Sequence, residues 1–276
     1  MASEQHGFIK GRSTQGALGV AQEMASGINN RIFGGNLVVK LDMSKAYDRV
    51  EWGFVLRVLA CMGFSTWTSD LLFRCFISAW ISPSFMGKQF GFFKSCRGLR
   101  QGDPLSPTLF IISQNAFSGF LNEGLNTGKV LTYHNRPTTR GISNLMFTDD
   151  TIIFINGSSR SVQGLNELLG EYCKWSGQVV NKEKSSFYIT RNVSESRVRV
   201  VGASLSMERG SFPMEYLGAP VSLFSLRVHH FYKLINKISG RIFNWKNIFL
   251  SFGGHITLVN SFLVSITMNI LSTLKV

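Results

Sequence analysis

Thr148-Asp149-Asp150-Thr151 constrains this chain more than any other stretch. Two adjacent carboxylates interrupt two apolar runs, Ile142 to Phe147 and Ile152 to Ile155. Apolar runs this short, rich in Ile and Phe and broken by a polar tetrad, predict a β-hairpin with the acids at its tip. The common two-residue turns want Asn-Gly or Asp-Gly, because their central residues take positive φ. Asp-Asp is a poor turn former, and neighbouring negative charges repel. An exposed acidic turn is the bland reading. The functional one is a seat for divalent cations, whose charge would remove the repulsion.

The other aspartates weigh toward the second reading. The chain has six, Asp42, Asp48, Asp70, Asp103, Asp149 and Asp150, and five of them fall around 42–48, 98–107 and 147–151. Two hard cations about 3.5–4 Å apart, shared by carboxylates, are the usual machinery for in-line attack on phosphorus. Such a site needs a further acid on a neighbouring element. Leu37-Val38-Val39-Lys40-Leu41 reads as a buried strand with Asp42 at its end. Ser44 then caps a helix from about Lys45 to Met62, which Gly63 terminates.

Charge suggests the partner. The formal net charge of +13 points to a polyanion, and residues 181–276 hold 12 Lys+Arg against 4 Asp+Glu. Cys61, Cys75, Cys96 and Cys173 form no Cys-x-x-Cys pair and have no His at zinc-like spacing, so no structural zinc is expected. Adjacent His229 and His230 would point apart on a helix. The polar N-terminus does not look like a secretory signal. The charge-free run Ile256 to Leu274 carries Asn260, Asn269 and several hydroxyls, which predicts a buried helix rather than a membrane span.

Along the chain, a glycine-punctuated loop from Gln5 to Ser13 leads into a helix over about Thr14 to Asn29. Helices are expected over Trp67–Ala79 and Leu165–Trp175, with a hairpin between them of Ser84–Met86 and Gln89–Ser95 joined by Gly87-Lys88. Ser106 should cap a helix from Pro107 to Asn122, with its dipole directed at the glycine-rich loop 98–103. A strand follows over Ser186–Thr190, then a turn at Tyr216-Leu217-Gly218-Ala219-Pro220. From Val228 the pattern is helical, and Arg241, Phe243, Trp245 and Lys246 alternate charge with ring surface.

With these residues laid out, the chain resembles the reverse transcriptase of non-LTR (LINE-type) retrotransposons, especially those of plants. Gln5-His6-Gly7-Phe8-Ile9-Lys10-Gly11-Arg12-Ser13 resembles the family's fingers-to-palm motif. Leu41-Asp42-Met43-Ser44-Lys45-Ala46-Tyr47-Asp48 is similar to its first aspartate motif, and Gly98 through Pro107 to its template and nucleotide loop. Phe147-Thr148-Asp149-Asp150 is similar to its double-aspartate hairpin. Ser176-Gly177-Gln178 through Ser185, and Tyr216-Leu217-Gly218, look like the last two palm motifs.

The resemblance implies an α+β right-hand polymerase: a palm with an antiparallel sheet backed by helices, partial fingers and a partial helical thumb. The divisions would be 1–36 fingers, 37–222 palm and 223–276 thumb. It implies an RNA-directed DNA polymerase that takes an RNA template, a DNA primer and deoxynucleotides. Asp42, Asp149 and Asp150 would bind two Mg²⁺ (Mn²⁺ as the substitute), with the Met43 carbonyl assisting. Tyr47 would lie under the incoming sugar and reject a 2′-hydroxyl. Arg12, Arg100, Gln101 and Gly102 would contact nucleotide and template. Lys184 would neutralise or protonate the leaving pyrophosphate, and Tyr216, Leu217 and Gly218 would form the primer grip. The family's habit of priming on chromosomal DNA implies the nucleus.

Two departures stand out. Thr148 replaces the family's usual Ala, a change a strand should accept. The chain also begins inside the expected fingers and ends within the expected thumb, as a truncated reading frame would. A binding-only relic, or a palm polymerase that copies RNA into RNA, are the competing expectations, and Tyr47 speaks against the latter.

Overall fold

Leu37, Val39 and Leu41 turn one way from their strand and Val38 turns the other, and both sides are buried. That explains why the strand sequences are continuous apolar runs rather than alternating ones: each face has its own cover. The computed structural model describes residues 4–135, 141–224, 227–244, 251–257 and 259–260. In chain order the elements are α1 (Thr14–Ser26), β1 (Asn36–Leu41), α2 (Ala46–Arg49), α3 (Trp52–Cys61), α4 (Thr66–Ile77), β2 (Trp80–Ile81), β3 (Ser84–Phe85), β4 (Lys88–Gln89) and β5 (Phe93–Lys94). Then come α5 (Ser106–Asn126), β6 (Asn144–Phe147), β7 (Asp150–Asn156), α6 (Ser159–Ser176), β8 (Ser186–Ile189), α7 (Glu195–Leu205), β9 (Glu208–Arg209), β10 (Met214–Tyr216) and β11 (Ala219–Val221). A 3₁₀ turn at Val228–Phe231 precedes α8 (Tyr232–Asn244) and α9 (Phe252–Thr257).

The central sheet runs β6-β7-β1-β8-β9, antiparallel except for the β8–β9 pair. One face is buried under residues of α3, α5, α6 and α7, including Phe54, Phe110, Leu165 and Val201. The other is covered by Ala17, Leu18, Ala21 and Met24 of α1 and by Met214, Tyr216, Ala219 and Val221 of the β10–β11 hairpin. Residues 4–6 extend the sheet beyond β6: the His6 and Met146 amides donate to the Met146 and Glu4 carbonyls, at 2.8 and 3.0 Å.

Several boundaries differ from the sequence expectation for identifiable reasons. The Lys45–Met62 helix is two helices, and Ser44 is no cap; Lys45 takes that place in left-handed conformation. The break at Val50-Glu51 arises because its backbone bonds elsewhere: Glu51 N–H donates to the Ser176 carbonyl and Gly98 N–H to the Val50 carbonyl. Gly63 does end the helix. Its N–H bonds the Ala60 carbonyl and Phe64 N–H bonds the Leu59 carbonyl, a left-handed glycine cap. Ser158 accepts from Ser161 N–H, so α6 starts six residues before the expected Leu165.

The 84–95 hairpin turns at Met86-Gly87, with φ of 49° and 76°, rather than at Gly87-Lys88. Among the described residues no helix is long and apolar enough to cross a membrane. Most of the Ile256–Leu274 run, the side chain of Arg241, and Trp245 and Lys246 lie outside the described residues.

Candidate active site

β1 and β7 pair through Leu41↔Thr151, which leaves Asp42 and Asp150 flanking the end of the same ladder. The hairpin register is Phe147↔Asp150, so Thr148-Asp149 forms the turn and Asp150 opens β7. The expected Asp-Asp tip is therefore corrected: one acid is an exposed turn residue and the other a half-buried strand residue. Thr148 takes the strained place, with φ 55°, which β-branched residues rarely adopt. It is a turn residue and not the strand residue expected. Its hydroxyl lies 2.6 Å from the Phe147 carbonyl and 2.8 Å from Asp149 Oδ1, donating to one at a time. Gly7 presses on this turn from the N-terminal segment; a Cβ there would sit 2.9 Å from the Thr148 nitrogen.

The three acids share one electrostatic neighbourhood. Burial pushes the Asp150 carboxyl above its ordinary pKa, Lys40 pulls it down, and the charges of Asp149 and Asp42 push it up. Lys40 is the one charged residue inside the β1 run, and its Nζ donates to the Glu215 carbonyl at 2.6 Å. As they stand, no three His, Cys, Asp or Glu side chains among the described residues form a group that could hold a metal ion. The donor chemistry still suits a hard divalent cation: three carboxylates, two of them at adjacent strand ends, with like charges that repel.

Asp42 is held by its own backbone. Its N–H donates to Ser185 Oγ at 3.0 Å and its carbonyl accepts from Asn181 N–H at 2.8 Å. Met43 pairs with Val180 between two such bonds, so the Met43 amide and carbonyl turn away from that ladder. Ser185 also brings its neighbour Lys184, which is exposed, to the flank of Asp42. Lys182 goes elsewhere: its Nζ donates to the Leu205 carbonyl, and burial pushes its pKa down.

Tyr47 stacks on Phe110 of α5, ring centroids 4.4 Å apart and planes 14° off parallel. Burial and then the charge of Asp149 push its phenol pKa up. Gly98 brings the following loop against α2. Leu99 N–H donates to the Tyr47 carbonyl at 2.8 Å, and Gln101 Nε2 donates to Asp48 Oδ1 at 3.3 Å. Gly102 has φ 88° and is exposed. Arg100 is drawn off to the end of α4, where it donates to the Cys75 carbonyl at 2.6 Å. Gln101, Arg100 and Asp48 line a cleft of about 810 Å³ with Trp52, Phe76 and Leu109.

The start of α5 differs from expectation. Ser106 is its first residue rather than its cap, and Asp103 Oδ1 accepts from Leu105 N–H at 2.8 Å. That bond closes the turn before the helix, and α5 itself starts without a side-chain cap. Arg12 donates to the Gln5 carbonyl and lies with His6 and Lys10 in a recess of about 440 Å³ that Phe147 of β6 also lines. Of the Tyr216-Leu217-Gly218 trio, Tyr216 is buried. Leu217 and Gly218 make the hairpin turn, with φ of 50° and 78°.

Sequence reasoning gave no individual role to Lys40, Phe110, Ser185 or Gly7, although Gly7 and Ser185 lie within the motifs quoted above. Lys40 had a signal, a lone charge in an apolar run. The other three reach the site only through tertiary contacts.

Comparison with known proteins bears on this arrangement. The family described as "Reverse transcriptase (RNA-dependent DNA polymerase)" matches residues 1–221. A retrovirus-related Pol polyprotein from the type-1 retrotransposable element R2 of Popillia japonica is 28% identical over 180 residues, covering 64% of this chain and 27% of that protein. A putative COX1/OXI3 intron 1 protein of Saccharomyces cerevisiae is 21% identical over 245 residues, covering 75% and 28%. The chain thus spans about a quarter of the length of these relatives. Among solved structures, apo telomerase from Candida tropicalis superposes with a TM-score of 0.54 at 16% identity, over 81% of this chain and 40% of that one. The shared fold is the right-hand polymerase fold, α+β.

Proposed function

This chain belongs to the reverse transcriptase family, and on that footing we propose that it adds deoxynucleotides to a primer 3′-hydroxyl on an RNA template. The observation that carries the reading is the placement of Asp42 and Asp150 at one end of the β1–β7 ladder, with Asp149 in the adjoining turn and its charge felt by Asp150 and Tyr47. Two Mg²⁺, or Mn²⁺ in their place, would supply nucleophile activation and charge neutralisation at the transferred phosphate. Asp42, Asp149, Asp150 and the Met43 carbonyl would hold them.

The remaining roles belong to the protein. Tyr47, braced by Phe110, presents a rigid ring edge where a ribose 2′-hydroxyl would collide. Gln101 and Gly102 sit on an exposed loop tied to α2, in place to meet the nascent base pair. Lys184 offers an ammonium to the departing pyrophosphate. Arg12 and Lys10 give the recess beside β6 a positive lining for a phosphate backbone. The Leu217-Gly218 turn would touch the primer, with Tyr216 anchoring it from below. Arg100 would act on the template only after leaving the Cys75 carbonyl. The divisions 1–36, 37–222 and 223–276, a plant LINE-type source and a nuclear setting belong to the same proposal and draw on the motifs alone.

Primer extension on an RNA template with Mg²⁺ tests the reading. Asp42→Asn or Asp149→Asn keeps shape and removes charge, and should lower extension by about a thousandfold or more. A variant that extends as well as the parent would sink it. Binding without incorporation is the second reading, and the basic chain, at a formal +13, supports it. It predicts salt-dependent primer–template binding and no added nucleotide.

A further inference from the structure

Tyr216 puts a phenol into the core with 1% of the residue exposed, and its hydroxyl has no hydrogen-bond partner among the described residues. A phenylalanine would fill nearly the same volume without stranding a polar oxygen, so packing does not account for the hydroxyl. The surroundings give its direction. Val38, Lys40 and Asp42 alternate along β1 onto the face that the β10–β11 hairpin covers; Asp150, Ile152 and Phe154 do the same along β7. Tyr216 packs in one cluster with Val38 and Ile152, one strand repeat from Asp150. The Lys40 ammonium on the Glu215 carbonyl fastens the strand of Tyr216 beneath that end of the sheet. Burial, and after it the charge of Asp150, push the phenol pKa up, so it remains a donor at every working pH.

We propose that the Tyr216 hydroxyl donates to the Asp150 carboxylate when that side chain turns to meet a divalent cation, and so fixes its orientation. Tyr216 is then a positioning residue, acting through Asp150 without touching substrate. A neutral hydroxyl suits the task, because it satisfies one carboxylate oxygen while leaving the negative charge for the cation. An ammonium in its place would compete for that charge. The inference rests on the acid-site reading above.

Mn²⁺ binding, followed by electron paramagnetic resonance on the full chain with primer–template, tests it without relying on turnover. Tyr216→Phe should weaken Mn²⁺ binding by about tenfold, the scale of one hydrogen bond to a charged group. The Mg²⁺ needed for half-maximal extension should rise similarly. The metal-free unfolding midpoint should not fall, because the hydroxyl has no partner to lose there. In an Asp150→Asn background, Tyr216→Phe should cause no further loss of Mn²⁺ affinity.

Unchanged Mn²⁺ binding in Tyr216→Phe overturns the proposal, and so does an equal loss in the Asp150→Asn background. A parent that extends nothing but binds Mn²⁺ in a Tyr216-dependent way defeats the polymerase reading and supports this one. A parent that binds no Mn²⁺ overturns both.

Discussion

Replacing Gly98 with alanine should unfasten the 98–103 loop from the helix that carries Tyr47. Gly98 has φ 88°, and a Cβ there would sit 2.7 Å from the Asp48 carbonyl oxygen, 3.0 Å from its carbonyl carbon and 3.1 Å from its Cα. All three are backbone atoms, so no side chain can swing aside. The left-handed conformation alone costs a non-glycine residue ~1–2 kcal/mol. Relieving the overlap moves the loop. Three bonds then stretch: Gly98 N–H to the Val50 carbonyl (2.8 Å), Leu99 N–H to the Tyr47 carbonyl (2.8 Å), and the Trp52 indole to the Gly98 carbonyl (2.7 Å). Losing two of them at ~1 kcal/mol each brings the total to ~3–4 kcal/mol, a large share of a stability of ~5–15 kcal/mol. Gly102 is the control, since it has φ 88° too but nothing within 4 Å of its Cβ position. Gly102→Ala should cost only the backbone strain, ~1–2 kcal/mol. Urea unfolding of both variants, with primer extension on the same preparations, measures the difference. Equal costs would refute the close-approach argument and leave strain as the whole effect.

Other changes have expected outcomes of their own. Asp150 has a folded-state pKa above its ordinary 3.8, so folding tightens its hold on a proton and stability falls as pH rises from that value through the raised one. In metal-free buffer, Asp150→Asn should therefore gain in urea midpoint relative to the parent as pH climbs through that window; a gain that shrinks with pH would reverse the sign. Ser185→Ala strands the Asp42 N–H and should cost ~1–3 kcal/mol, with faster hydrogen exchange at the Asp42 amide as the local readout. Tyr47→Ala removes the stack on Phe110, worth ~0.5–1.5 kcal/mol beyond its buried area. It should also raise ribonucleotide incorporation by at least about tenfold in a two-nucleotide competition, given the ~1–3 kcal/mol scale of steric pocket discrimination. An unchanged ratio would remove Tyr47 from sugar selection.

Which parts of this molecule could be read in advance follows from the range of the forces involved. The β1 and β7 strands, Gly63 as a helix stop and the turn at Leu217-Gly218 depend on neighbours in sequence: apolar runs, a left-handed glycine, a tight reversal. Each was legible. The split of Lys45–Met62 was not, because residues 47–51 contain neither proline nor glycine to announce it. Bonds from Glu51 to Ser176, and from Gly98 to Val50, impose it across long stretches of chain. The bond from Leu105 N–H to the Asp103 carboxylate, which shapes the turn before α5, was not legible either. Thr148 was expected to suit a strand and occupies the strained turn residue, since strand register, not composition, decides which of the four residues reverses the chain.

The sequence by itself determined the chemistry available: six aspartates, three of them bracketed by strand-forming runs, and a basic chain to meet a polyanion. Composition and short-range pattern suffice for that, because charge and side-chain type do not depend on folding. Tertiary structure alone decided which groups share a field. It set Asp42 beside Asp150 through the β1–β7 register, braced Tyr47 on Phe110 and buried a phenol near a carboxylate. Such couplings act over a few ångströms between residues far apart along the chain, so they exist only once the two faces of the sheet are covered.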